Sequence, residues 1–309
     1  VLEVLHSLLF STLDAMPALV FATLGAVLSE RAGVVSVGVE GMMRVGAFCA
    51  AVAALVIPTP LAVGVGMLAG AALAAVHGFL SIRWRSDQVV SGIALNLVAL
   101  AGGTFLLESL YGPNGTPAIQ QLSRWELPGL ASVPLLGALS HHSAPTYLAL
   151  ALPFALHFLL ARTPLGLRLR AVGDKPHAVG TLGLSVAGLR WGAVLAGGLL
   201  AGLGGAVLST SVLNRFEQHT PAGLGFMALA AMVFGRWTPV GAFLAALFFA
   251  FGDALRIGLA SSVPGLVEVI PQGMLQALPY VLTLTLLTLQ GQRSKAPAAL
   301  GVPYEQESR

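Results

Sequence analysis

Polar side chains are sparse in this sequence, and those inside its apolar runs define the chemistry available. Gln88, Ser91, Asn96 and Thr104 punctuate QVVSGIALNLVALAGGTF. Their amides and hydroxyls offer donors and acceptors to a polar solute. Asn96 could equally glue two helices together. Glu40 and Arg44 are four apart, and Asp253 and Arg256 three apart, spacings that pair opposite charges on one helix face. A charge in hydrocarbon pairs or faces a water-filled path. Asp253 is therefore either a locally neutralised group or the titratable group of an ion-coupled transporter. His77 and His157 stand singly in apolar runs, where a packing histidine is the simpler reading. No HExxH, GxSxG or GxxxxGK[ST] occurs, and nothing in the spacing supports Ser91 with His77 or His157 as an intramembrane hydrolase. Residues 223–228 match GxGxxA by letters only: no strand precedes them, and 37 glycines make such matches common. His141 and His142 are adjacent without further ligands, a weak metal signal. The single cysteine, Cys49, allows neither a disulfide within the chain nor a cysteine metal site. No cofactor is implied.

The elements that must position these groups follow from composition. Of 309 residues, 56% are hydrophobic and 9% charged, and the mean hydropathy is +0.84. Soluble domains carry about a quarter charged residues, so this is an integral membrane protein with the lipid bilayer as its first partner. The net charge of +3 suggests nucleic acid, but the cations form no soluble face and read as topology determinants. No charged segment precedes the first apolar run, so that run is read as a retained span rather than a signal peptide.

A span needs about 20 apolar residues. Candidates fall at 4–29, 42–57, 61–82, 89–110, 144–161, 191–212, 224–234, 240–259 and 271–289. This predicts an all-α polytopic bundle of about 8–10 spans. The pieces at 42–57 and 224–234 are short enough to be half-helices. Gly198 and Gly202, four apart, let another helix approach closely. The loop 111–143 carries Pro113, Pro117, Pro128 and Pro134, which argues against regular helix. The polar tail 291–309 reads as disordered.

The longest basic interruption is RTPLGLRLRAVGDKPHAVGTLGLSVAGLR, residues 162–190. Asp174 can cap a helix, Pro176 suits its first turn and Gly183 can end it. A short helix between two spans is a docking surface for another protein, or the stretch is a plain loop that sets topology. With this loop in the cytoplasm, 13 of the 16 cations fall on that side, Arg44 among them, leaving Arg124, Arg215 and Arg256. The N-terminus is then outside, loop 111–143 external and the C-terminus cytoplasmic. In the docking reading Lys175 and His177 meet a partner's polar rim. Val179 and Leu182, three apart, share an apolar face.

ERAGVVSVGVEGMMRVGAF at 30–48 resembles the ERxGvvNiGlEGmmliGAf signature of membrane permeases in bacterial ABC importers for nucleosides and simple sugars. DQVVSGIALNLVAL at 87–100, TPLGLRLRAVGDKPHAVGTLGLSV at 163–186 and GLGFMALAAMVFGRWTPVGAFLAAL at 223–247 match in the expected order. Ser36 stands where the family usually has Asn, and Asp174-Lys175 where it often has Glu-Asn. The resemblance is to the branched-chain amino acid and ribose permease superfamily, nucleoside type. It implies a permease domain over 1–290 and a cytoplasmic tail over 291–309, in the plasma (inner) membrane. It implies no enzyme in this chain: ATP would be hydrolysed by a separate ABC ATP-binding subunit. A second permease, homologous or identical, and an extracytoplasmic solute-binding protein complete the expected assembly. The family's coupling helix falls on Asp174, Lys175, Pro176, His177, Val179, Leu182 and Gly183. Glu40, Gln88, Ser91, Asn96 and Thr104 are the candidate solute path. The competing class is an ion-coupled secondary transporter using Asp253.

Overall fold

Among the described residues of the computed structural model, six helices are long and apolar enough to cross a membrane. The structure describes residues 2–127, 129, 136–262 and 296–305. The candidate span at 271–289 and the cations Arg293, Lys295 and Arg309 lie outside the described residues.

The helices are α1 (Leu2–Arg31), α2 (Val39–Ala54), α3 (Thr59–Gly78), α4 (Gln88–Tyr111), α5 (Ala144–Arg162), α6 (Pro164–Asp174), α7 (Pro176–Thr181), α8 (Val186–Val207), α9 (Leu224–Phe234) and α10 (Pro239–Ser262). Wider π-type turns, Phe79–Arg83 and Leu208–Val212, extend α3 and α8. Local chemistry sets several ends. Asp87 accepts from the Val89 and Val90 amides at 2.8 and 2.9 Å and so starts α4. The Thr163 hydroxyl accepts from Gly166 N and Ser185 from Gly188 N, starting α6 and α8.

Helix α8 occupies the centre, against α1, α2 and α3, because its glycines remove the side chains that would hold those helices away. A Cβ on Gly202 would lie 2.5 Å from the Gly66 carbonyl oxygen and 3.0 Å from Gly70 Cα of α3. One on Gly197 would lie 2.7 Å from the Gly25 carbonyl oxygen of α1. Gly198 faces Gly70 and Ala74, and Gly205 faces Met43 of α2. Without a hydrophobic drive between helices in lipid, such backbone contact is a main source of association. The small-residue spacing therefore does what the sequence implied, on three faces rather than one.

Helix α9 has 11 residues, about 16 Å at 1.5 Å per residue, or half of a roughly 30 Å hydrocarbon core. It is a half-helix, as its length suggested. As its prolines implied, the loop 111–143 holds no α-helix beyond Tyr111 among the described residues. Arg124–Trp125 and His142–Ser143 form a small antiparallel ribbon, β1 with β2. Buried His142 stacks on Phe10 at 4.6 Å, and Arg124 pairs with Asp14 of α1 at 3.1 Å. The loop's first part pairs along the stretch after α8: Thr116 N donates to Phe216 O and Ile119 N to Asn214 O.

Two expectations are corrected. Asp174 closes α6 instead of capping α7, and its carboxylate accepts from Ala298 N at 3.2 Å. The tail is not wholly loose: residues 296–305 lie folded along one end of the bundle. Polar composition hid this, because backbone hydrogen bonds need no apolar side chains.

Candidate functional site

Between α1 and α2 the chain runs without helical bonds. Gly33, at φ +86°, turns it out of α1, and Val34, Val35 and Val37 favour extended backbone. Inside a membrane protein each peptide group there needs a protein partner, and side chains supply them. Ser29 Oγ donates to Val34 O at 2.9 Å. Val35 N donates to Gln88 Oε1 at 2.7 Å, and the Val35 carbonyl lies 2.9 Å from His77 Nε2. Ser36 N donates to Glu30 Oε1 at 3.2 Å, and Asn96 Nδ2 donates to Val37 O at 2.9 Å. A carbonyl only accepts, so His77 carries its proton on Nε2 and its Nδ1 accepts from the Ser91 hydroxyl at 3.1 Å.

The segment ends where two helices begin, and each is capped by another element. Asn96 of α4 accepts from Gly41 N in the first turn of α2 at 2.8 Å. Glu40 of α2 accepts from Gly223 N at 2.9 Å and Gly225 N at 2.7 Å, the first turn of α9. The carboxylate thus meets orphan amides at the positive end of a helix dipole. One turn on, Arg44 donates to the carbonyls of Thr220 (2.7 Å) and Gln218 (2.6 Å) and to Thr104 Oγ1 (3.0 Å). Glu40 and Arg44 together therefore hold the chain that leads into α9, one by its amides and the other by its carbonyls. Beside this joint Gln218, His219, Ala222 and Phe226 are exposed.

The far end of α9 is tied back to the same unit. Trp237 Nε1 donates to Glu30 Oε2 at 2.7 Å, and Arg31 donates to the Trp237 and Arg236 carbonyls. On this side lie α6 and α7. Leu165, Leu167 and Leu182 are exposed there, among exposed Arg162, Arg168, Lys175 and His177. Val179 and Pro176 are buried; Val179 packs with Val172 and Val186.

Residues 8–287 match the family described as branched-chain amino acid transport system / permease component. The chain belongs to this family. It is 39% identical to the nucleoside ABC transporter permease protein NupC of Lactococcus lactis, over 97% of this chain and 96% of that one. It is 38% identical to the guanosine ABC transporter permease protein NupQ of Bacillus subtilis, over 98% of both. It is 36% identical to the putative glucose ABC transporter permease protein TsgC13 of Haloferax volcanii, over 97% and 98%. No solved structure matches the chain. The protein is a multi-pass inner-membrane permease subunit of an ABC transporter, not an enzyme.

In this permease Glu40, Gln88, Ser91, Asn96 and Thr104 gather at the start of α2, so the sequence singled out one place. Their work differs from expectation. Glu40, Asn96 and Gln88 Oε1 hold backbone, Ser91 and Thr104 bond the side chains of His77 and Arg44, and Gln88 Nε2 is buried without a hydrogen-bond partner. Glu40 and Arg44 form no ion pair with each other; each binds the stretch before α9. Arg44 is 4% exposed and is no surface topology cation. Asp253 and Arg256 do pair, at 2.8–2.9 Å, leaving Asp253 locally neutralised.

On the coupling stretch, Gly183 ends α7 as expected, at φ +76° with Leu184 N donating to Val179 O. Val179 and Leu182 do not share a face. The helix stops at Thr181, so the periodicity fails there: Val179 is 3% exposed and Leu182 78%. Phe226 and the tail residue Tyr304 were not singled out from the sequence, and Arg190 only as one of the cations of the basic stretch. Nothing local marks them; α6 was missed too, although Thr163-Pro164, a cap followed by an N1 proline, carried its signal.

Proposed function

We propose that this permease forms one half of the path of an ATP-driven importer and carries a nucleoside by alternating access. The observation that carries the reading is the joint at Glu40. There the half-helix α9 begins with its first turn held by a carboxylate from the start of a second helix, α2. Broken helices whose N-termini meet near the midplane are how transporters present fixed dipoles to a polar solute. Glu40, Gln88, Ser91, Asn96 and Thr104 border the path. Asn96 and Glu40 do so by fixing backbone, as Gln88 does through Val35 N. Phe226, 52% exposed in the first turn of α9, adds a π-face on which a base can stack. The nucleoside and guanosine permeases to which the chain is similar favour a nucleoside over a sugar.

In this reading an ABC ATP-binding subunit docks on α6, α7 and Leu182, and a solute-binding protein delivers at the β1–β2 end. A second permease closes the path. The basic end is cytoplasmic, with the N-terminus outside and the tail inside. The grouping of Arg31, Arg85, Lys175 and Arg236 with the folded tail at one end supports this orientation.

Reconstituted with its partners in proteoliposomes, the complex is expected to take up labelled guanosine or uridine, with ATP and binding protein both required. Uptake of glucose or ribose alone would sink the nucleoside assignment. Uptake driven by a proton or sodium gradient without ATP would sink the importer reading. For the docking face, an apolar anchor outweighs a rim charge, about 2 kcal/mol against a few tenths. Leu182→Asp is therefore expected to reduce ATPase copurification and stimulation more than Lys175→Ala.

A further inference from the structure

Residues 296–305 run across α6, α7, the start of α8 and the turn after α1. Ala298 N donates to the Asp174 carboxylate at 3.2 Å and Ala299 N to Gly173 O at 2.8 Å, at the end of α6. Gly301 N donates to Gly33 O at 3.1 Å, where α1 ends. Arg190 of α8 donates to Val302 O at 3.0 Å. Glu305 pairs with Arg85, beyond α3. Tyr304 packs its ring on His177 of α7 at 5.2 Å between centroids, with its hydroxyl over Gly180.

Two of these contacts fit a held strap better than a resting tail. Arg190 is 2% exposed, forms no ion pair among the described residues, and leaves Nε and Nη2 without partners. The Val302 carbonyl is the acceptor the structure gives it, so this stretch answers part of a buried cation's need. A Cβ on Gly180 would collide with the Tyr304 hydroxyl, so a methyl group there must push the Tyr304 ring off α7. A six-residue helix cannot hold its own shape. It is set from below by Val179 on Val172 and Val186, and from outside by Tyr304.

We infer that Tyr304 and Arg190 are positioning residues. The strap 296–305 fixes α7 against α6, α8 and the end of α1, so that a displacement of α7 moves the turn at Gly33 instead of being absorbed locally. The inference rests on the reading of α7 as a docking element for the ATP-binding subunit.

The test uses the complete reconstituted complex. Its readouts are the ratio of binding-protein-stimulated to basal ATPase activity and hydrogen exchange of the amides of 176–184. Tyr304→Ala and Gly180→Ala each lower the ratio by roughly fivefold or more, the scale of a coupling free energy, and speed exchange in α7 while the ATPase subunit still copurifies. Removing the clashing oxygen restores function: with phenylalanine at 304, a Cβ on Gly180 meets Cζ at an ordinary 3.4 Å. Gly180→Ala with Tyr304→Phe therefore recovers the ratio that Gly180→Ala alone loses, a non-additivity that general destabilisation does not produce. If Tyr304→Ala does not assemble, the Gly180→Ala pair decides. Unchanged ratio and exchange in Gly180→Ala, or no recovery in the double variant, overturns the inference. Leu182→Asp reads the docking element alone. If it is defective while Tyr304→Ala and Gly180→Ala behave as wild type, only the strap falls; if it is silent, the docking reading falls and the strap with it.

Discussion

Glu40→Gln removes one carboxylate oxygen's worth of acceptor and almost no volume, so it isolates the cap on α9. The two oxygens accept from Gly223 N at 2.9 Å and Gly225 N at 2.7 Å. Glutamine can serve one amide; its NH2 faces the other as donor against donor. A hydrogen bond to a charged group is worth about 1.5–3 kcal/mol, and the charge at a helix N-terminus adds about 0.3–1 kcal/mol, up to about 2 when partly buried. Relief of the carboxylate's own desolvation offsets part of this. The net loss is about 2 kcal/mol, roughly a 30-fold shift toward a frayed first turn. Hydrogen exchange at residues 223–226 in the purified complex reads that opening directly, and nucleoside uptake reads its consequence. Glu40→Asp keeps the charge but is one methylene short, so it reaches one amide and is expected to fall between. Glu40→Gln with wild-type protection and uptake would refute the cap and, with it, the idea that α9 is held from α2.

Asn96→Leu unpairs the Gly41 amide and the Val37 carbonyl together, at about 1–3 kcal/mol for each buried group; uptake is expected to fall while partner copurification persists. Gly202→Ala drives a methyl to 2.5 Å from the Gly66 carbonyl oxygen and should cost about 1–3 kcal/mol, seen as a lower thermal midpoint. Gly192→Ala, with nothing within 4 Å of its Cβ, should leave the midpoint unchanged or slightly raised. Cysteines placed by Ser123→Cys and Ala187→Cys in a Cys49→Ala background, both at exposed sites, should label from opposite sides of the membrane; labelling of both by an impermeant reagent outside intact cells would overturn the orientation.

The apolar runs made most of this fold legible, because span length and glycine spacing are local properties. What stayed hidden was set by partners distant in sequence. Glu40 and Arg44 looked like an i,i+4 pair, yet the backbone amides and carbonyls they bind lie more than 170 residues away. A helix surface rule cannot rank a neighbouring charge against a helix N-terminus that only the tertiary fold delivers. Val179 and Leu182 failed for the opposite reason. The rule that joins them holds only while the helix lasts, and the Gly183 that was read correctly as its end already implied that Leu182 stands outside it. The tail was misjudged on composition, although its order comes from backbone groups and Tyr304. The candidate path residues were found because polar groups in apolar spans are costly enough to need a purpose. The sequence could not say that the purpose was to satisfy an extended backbone.

That backbone also limits how the permease can move. Helix α9 is held at its start by Glu40 and at its end by Glu30 on Trp237 and Arg31 on the Trp237 carbonyl. Both grips belong to one stretch, 30–40, which is itself fastened to α3 and α4 through His77, Gln88 and Asn96. A rearrangement that separated α9 from this stretch would leave two buried amides and an indole N–H unpaired at once, about 1–3 kcal/mol each. Opening the path while keeping 30–40 and α9 together leaves those bonds intact. The turn at Gly33 sits at the cytoplasmic end of that body in the proposed orientation. Its carbonyl is bound by the strap, and Gly173 of α6 is packed against the Arg31 carbonyl. A push on α6 and α7 therefore reaches α9 through the seven residues between α1 and α2, turns around a short extended piece whose backbone groups are mostly hydrogen-bonded. A cross-link between the start of α2 and the start of α9 is accordingly expected to leave uptake intact. Loss of uptake on such a cross-link would show that α2 and α9 part during the cycle.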